Sequence, residues 1–275
     1  MALIHLNFES HYLFSNTDVN IILPDMPRTE EPQSFYRSGK KYKVLWLLHG
    51  TFGDYTDWLR KSSVELYACE KDLVVVMPSA LNSDYVDWDN FALGYHMYSY
   101  LTEELMPLVY GWLPVSDKRE DNFIAGLSMG GAGASLYAFN HPEKFAGVYI
   151  MSASPRHYKE DITDSKGFNF RAKNVIANAG GFKAFTKSYQ NTWEVLRKQV
   201  KKGVELPRII AACGTADPLV YKSFKEFEKY TKRLKIDAEF IEIEGYSHEW
   251  RFWDICVQDA INKFVPAEDT AGNAF

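Results

Sequence analysis

The chain has 275 residues, 46% hydrophobic and 15% aromatic, which suits one large domain spanning residues 1–275 with a sizeable buried core. Its 36 acidic and 31 basic residues leave a formal charge of −5 and no long basic stripe, so nucleic acid is not an expected partner. Cys69, Cys213 and Cys256 are widely spaced, odd in number and without a Cys-x-x-Cys pair, which argues against a disulfide framework or a zinc site.

At the start, Met1-Ala2-Leu3-Ile4-His5-Leu6 lacks the basic opening and apolar core of a secretory signal. No apolar run approaches the roughly 18 residues needed to span a bilayer. A cytoplasmic protein without membrane contact is the expectation. Residues 2–8 and 19–23 alternate as antiparallel strands do, and the polar, Pro-containing stretch 24–41 reads as a loop. Then a rhythm begins: an apolar run at 44–48, a helix at 58–68, a second apolar run at 73–77 and a long helix at 98–113. Further strands follow at 122–125 and 146–151, with a small-residue helix at 131–140 between them. Continuous β-branched runs fit strands covered on both faces, and their alternation with helices implies a parallel sheet with right-handed crossovers. The rhythm returns as strand 208–213, helix 221–234, strand 238–243 and helix 249–264. Residues 155–206 interrupt it. With Gly180-Gly181 and scattered aromatics, they are too long for a simple connection and read as an insertion over the C-terminal edge of the sheet, where open α/β sheets bind ligands. The basic residues at 197–202 and 229–235 read as solvated helix faces.

Gly126-Leu127-Ser128-Met129-Gly130 is the central motif. A G-x-S-x-G between a strand and a helix forces its serine onto a tight turn, aimed out of the sheet edge. In a chain this long the bare pattern arises by accident roughly one time in ten at ordinary glycine usage, so its partners decide the matter. A serine hydroxyl needs an imidazole to take its proton and a carboxylate to orient that imidazole. Of the histidines downstream, His141 directly follows the motif's own helix and points away, and His157 opens the insertion as a runner-up. His248 falls between the last strand and the last helix, where a base is needed. For the acid, Asp217 follows a buried strand. Asp161 and Asp164 lie in the insertion, and Asp237 sits at the wrong edge of a parallel sheet. The His49-Gly50-Thr51 turn after the first central strand offers the Thr51 N–H as one oxyanion donor, and the Met129 N–H is the other.

Leu47-Leu48-His49-Gly50, Ala125-Gly126-Leu127-Ser128-Met129-Gly130-Gly131, Cys213-Gly214 through Asp217, and His248-Glu249-Trp250 resemble the esterase D family, and within it tributyrin esterases and related acetyl or feruloyl esterases. The likeness runs from about residue 40 to 264. It implies an α/β-hydrolase fold, no cofactor, and carboxylic ester hydrolysis through an acyl-enzyme. Ser128, Asp217 and His248 match the family's triad, and Thr51 and Met129 match its oxyanion donors. The first 40 residues and the insertion match no pattern, so substrate choice is expected to reside there.

Other residues carry softer expectations. Phe52, Trp58 and Trp88 stand near loops that should rim the cleft and are candidate substrate contacts. Tyr85, Asp87, Asp89 and His96 read as a solvated loop that could also touch a sugar or phenolic group. Asp54, Asp57 and Asp84 fit no known metal-ligand spacing, so no metal is assigned. The expected partner is a small ester with a short or aromatic acyl group, an acylated carbohydrate included, and homo-oligomerisation is left open. Two rivals use the same residues: an acyltransferase that hands the acyl group to a sugar, and a catalytically idle scaffold that only binds.

Overall fold

The computed structural model describes residues 1–159 and 169–266. The chain opens with the hairpin strands β1 (Ala2–Ser10) and β2 (Ser15–Leu23), followed by a short helix α1 (Pro32–Tyr36). Strand β3 (Val44–Leu48) leads through α2 (Asp57–Lys61) and α3 (Val64–Cys69) to β4 (Val74–Pro78). A two-stranded ribbon, β5 (Asp87–Trp88) with β6 (Tyr95–His96), precedes α4 (Met97–Ser99), a π-helical stretch Tyr100–Leu105, and α5 (Met106–Trp112). Strand β7 (Asn122–Leu127), helix α6 (Met129–Asn140) and strand β8 (Gly147–Met151) form the centre. Helices α7 (Asn169–Asn178), α8 (Phe182–Phe185) and α9 (Thr192–Lys202) belong to the insertion, and β9 (Arg208–Gly214), α10 (Tyr221–Leu234), β10 (Ala238–Ile243) and α11 (Trp250–Phe264) complete the fold.

The strands form one eight-stranded sheet in the order β1-β2-β4-β3-β7-β8-β9-β10. The β1–β2 and β2–β4 pairs are antiparallel and every pair from β4 to β10 is parallel. Alternate residues of each central strand supply two separate cores. Val44, Trp46, Val76, Ile124, Ile150 and Ala211 face a layer built from α5, α6 and α10. Leu45, Leu47, Val75, Ala125, Tyr149 and Ile210 face α2, α3 and α11. This two-sided burial is why the strands read as unbroken apolar runs. Parallel alignment also brings the C-terminal ends of β3, β4, β7, β8, β9 and β10 to one edge.

Departures from the sequence pattern have local causes. The helix expected at 58–68 is two helices, because Ser62 turns away and its hydroxyl donates to the Trp58 carbonyl at 2.6 Å. The helix expected at 98–113 widens into a π turn just before Pro107, whose missing N–H cannot serve the Glu103 carbonyl. Stretch 24–41 holds α1 with Pro32 in its first turn. Strand β4 is shifted by one residue. Asp161 and Asp164 lie outside the described residues. Among the described residues no helix is long and apolar enough to cross a membrane.

Candidate active site

Ser128 occupies the turn between β7 and α6 with φ 53° and ψ −117°, a conformation that L residues adopt only when their surroundings impose it. Two glycines make the turn possible. A Cβ on Gly126 would lie 2.3 Å from the Gly130 carbonyl oxygen, and one on Gly130 would lie 2.4 Å from that of Leu48. The Ser128 N–H donates to the Met151 carbonyl at 2.8 Å, tying the turn to the neighbouring strand. Met129 begins α6, so its N–H belongs to the first helical turn, where amides have no partner within the helix and the helix dipole is positive.

His248 leaves the end of β10 and brings its Nε2 to 3.0 Å from the Ser128 Oγ, while its Nδ1 lies 2.7 Å from Asp217 Oδ2. Asp217 follows β9, and its side chain is fully buried. Burial alone would raise this carboxyl. The hydrogen bond and charge of His248, with the Leu219 and Val220 amides donating to Oδ1, outweigh burial and hold it below the usual carboxylate range. An ionised Asp217 only accepts, so His248 carries its proton on Nδ1 and leaves Nε2 free to accept from the serine hydroxyl. The imidazole also meets the edge of Trp253 at 5.0 Å between ring centres, and the Trp253 indole donates to Ser152 Oγ at 3.0 Å.

The loop after β3 closes the other side. His49 is buried and neutral: its Nε2 accepts from the Ala80 N–H at 2.9 Å, so its Nδ1 donates to the Gly50 carbonyl at 2.7 Å. Burial pushes this imidazole below its ordinary value, more strongly than the Gly50 bond raises it. The Tyr85 hydroxyl donates to the His49 carbonyl at 3.0 Å. Beyond them, the Thr51 hydroxyl accepts from Arg171 Nη1 at 2.5 Å. Arg171 also forks onto Asp84, with Nη2 at 2.7 Å and Nε at 3.2 Å from its two oxygens.

Ser128, Met129 and His248, with Asp84, Arg171, Trp193 and His157, border a cleft of about 390 Å³. A larger groove of about 620 Å³ opens at the opposite end of the strands, by Arg208 and Asp237, and its described lining has no serine, cysteine or histidine. Asp237 is therefore remote from His248. His157 lines the cleft but stacks on Trp193 at 4.5 Å, and His141 bonds the Tyr98 hydroxyl at 2.8 Å, away from the cleft.

Trp58 requires a correction. It is fully buried beneath the sheet edge, its indole donating to the Leu48 carbonyl at 3.2 Å, and it packs edge-on against Trp250, which in turn packs on Trp253. It supports the histidine's neighbours and meets no ligand space. Phe52 is 90% exposed with φ 65°, beside Thr51. Trp88 walls a second, mostly apolar pocket of about 370 Å³ with Leu81, Phe91 and Tyr95. Between β4 and α4 the reading as a solvated loop fits residues 89–93, Asp89 included, which are exposed, but not residues 83–88 before them. Tyr85 and Val86 are buried, and Asp87 accepts from both the N–H and the hydroxyl of Ser99. Asp54, Asp57 and Asp84 are each engaged, by Thr56, Lys61 and Arg171. The sequence pattern missed Arg171, Arg156 and Trp253, and only the tryptophan, in the helix that starts beside His248, carried a local signal.

Residues 10–255 match the model of the Esterase family, described as "Putative esterase". The chain belongs to this family. FphF, a fluorophosphonate-binding serine hydrolase of Staphylococcus aureus, superimposes with a TM-score of 0.81 at 31% identity, over 96% of this chain and 98% of that one. The S-formylglutathione hydrolase FrmB of the same organism gives a TM-score of 0.78, also at 31% identity, over 96% and 98% of the two chains. An acetyl esterase of Caldicellulosiruptor saccharolyticus is 27% identical over 98% of this chain and 100% of its own length. The fold is that of the α/β-hydrolases, and the protein is a serine carboxylic ester hydrolase.

Proposed function

We propose that the Ser128–His248–Asp217 constellation hydrolyses esters with a short or aromatic acyl group, acylated carbohydrates among them, through an acyl-enzyme on Ser128. His248 Nε2 takes the hydroxyl proton as Oγ bonds to the ester carbonyl carbon. The carbonyl oxygen, now negative, is received by the Thr51 and Met129 amides. Collapse breaks the bond to the alcohol, which leaves with the proton held on His248. Water then repeats the sequence and frees the acid and the serine. Asp217 keeps the imidazole in the reactive tautomer throughout. The observation that carries this reading is the unbroken chain from Asp217 Oδ2 through His248 to Ser128 Oγ, at 2.7 and 3.0 Å, next to the start of α6.

Substrate selection is assigned to the layer over the sheet edge, within a single domain of residues 1–275 whose 155–206 insertion contributes Arg156, His157, Arg171 and Trp193 to the cleft. Phe52 would form the lip beside the oxyanion loop, and Trp88 the wall of the neighbouring apolar pocket, receiving the apolar half of the ester. Three free cysteines agree with a reducing, cytoplasmic setting. The test is kcat/KM across acetyl, butyryl and feruloyl esters, with and without a sugar acceptor. Hydrolysis that is fastest on one of these acyl groups and yields no acylated sugar supports the proposal. Transfer to the sugar in place of water would replace it with acyltransfer.

A further inference from the structure

Thr51, Asp84 and Arg171 come from three separate segments. Thr51 follows β3, Asp84 follows β4, and Arg171 stands in the first turn of α7 in the insertion. One guanidinium joins all three: it donates to the Thr51 hydroxyl at 2.5 Å and grips both oxygens of the Asp84 carboxylate. A fork of this kind fixes direction as well as distance, because the guanidinium is planar and its donors are rigidly placed. Both neighbouring loops bend through unusual backbone. Phe52, Asp84 and Tyr85 have φ of 65°, 55° and 56°, so they need outside support to keep their shape. Asp84 receives some of that support from a second arginine, since Arg156 Nη2 donates to its carbonyl oxygen at 2.7 Å. On the Thr51 side, the Phe52 N–H is held by Asn82 Oδ1 at 2.9 Å.

We infer that Arg171 is a positioning residue for ester hydrolysis: by fixing the Thr51 side chain from the insertion, it aims the Thr51 N–H at the oxyanion, with Asp84 as its anchor. This rests on the hydrolytic reading above and adds a cause for the donor's aim. Holding the Thr51 hydroxyl against Arg171 Nη1 fixes χ1 and ties the Thr51 backbone to the insertion through its Cβ. A donor displaced by about 1 Å from the developing charge loses much of its effect, on the order of 10²-fold in rate. The placement of α7 and the readiness of the oxyanion site are thereby one property of the molecule.

The experiment compares Arg171→Met, Thr51→Val, Thr51→Ser and the Arg171→Met/Thr51→Val double variant on p-nitrophenyl acetate. Arg171→Met and Thr51→Val are each expected to lower kcat roughly 10- to 100-fold with little change in KM. Thr51→Ser keeps the accepting oxygen and should stay close to wild type. The double variant should be no slower than the slower single one, because both remove the same bond. Affinity for an aryl trifluoromethyl ketone, whose adduct with Ser128 carries an oxyanion, should fall in step with kcat. Loss of activity in Thr51→Ser equal to that in Thr51→Val, additive losses in the double variant, or unchanged kcat in Thr51→Val would overturn the inference. If Arg171→Met does not fold, the Val and Ser variants decide it. A wild-type enzyme inert toward every ester would defeat the hydrolytic reading itself, a result distinct from any pattern among the variants.

Discussion

Ser128, Asp217 and His248 stand on turns that leave parallel strands, whereas Thr51, Asp84 and Asp87 are held to the insertion by polar side-chain bonds. The strand-borne groups take their positions from two apolar cores, one on each face of the sheet. The layer above uses a few hydrogen bonds between distant segments: Asn178 Nδ2 to the Asp87 carbonyl at 2.7 Å, the Asp87 N–H to the Tyr189 hydroxyl at 3.1 Å, and the Arg171 fork. A core shared by dozens of side chains moves little when one contact is lost, while a loop held by a handful of polar bonds shifts more when one of them goes. On the proposed reading, the chemistry sits on the stiff region and the adjustable region controls what reaches it.

Mutations that separate the two regions sharpen this contrast. Asp217→Asn leaves the shape of the strand-borne site intact but removes the charge that fixes the His248 tautomer, so kcat should fall about 10⁴-fold with the fold retained. A loss of only a few-fold, measured under saturating substrate, would show that another group orients the imidazole. In the upper layer, Asn178→Ala removes one bond between α7 and the β5–β6 ribbon. It should reduce stability by about 1 kcal/mol in urea titration. Turnover of a bulky aromatic-acyl ester should drop severalfold while that of an acetyl ester barely changes. Equal losses on both esters would erase the distinction between the regions.

The smallest effect concerns His49, which links them. Its folded value lies below its unfolded one, so the neutral imidazole contributes stability above the ordinary histidine range, and that stability is lost as pH falls through the folded value. Protonation would place a hydrogen on Nε2, where the Ala80 N–H now points. The His49→Gln variant should have a flatter stability profile between pH 7 and 5, by at most about 1.4 kcal/mol per pH unit. Parallel profiles for the two proteins would remove His49 from the acid response.

How far each region could be read from the sequence follows from the same physics. Strands β3, β7 and β9 are legible because burial on both faces demands unbroken apolar runs, and the serine turn is legible because its glycines sit within two residues of it. Asp217 and His248 could be found because a parallel sheet delivers its strand ends to one edge in a known order. Arg171 could not. It is one arginine in a polar helical stretch, and its partners stand 87 and 120 positions away. Trp58 misled for a related reason: an aromatic residue near a cleft loop looks like a ligand contact until Trp250 is seen packed against it. Tyr85 and Asp87 read as solvated because their partners, the His49 carbonyl, Ser99 and Asn178, stand in other segments, which composition does not reveal.

The central claim is that one serine, activated by His248, carries the acyl group. Incubation with a fluorophosphonate followed by peptide mass mapping tests it most directly. A single adduct on the peptide containing Ser128, formed by wild type and far more slowly by His248→Ala, is the predicted result. An adduct on a different residue, or labelling of Ser128 at the same rate without the imidazole, would contradict it.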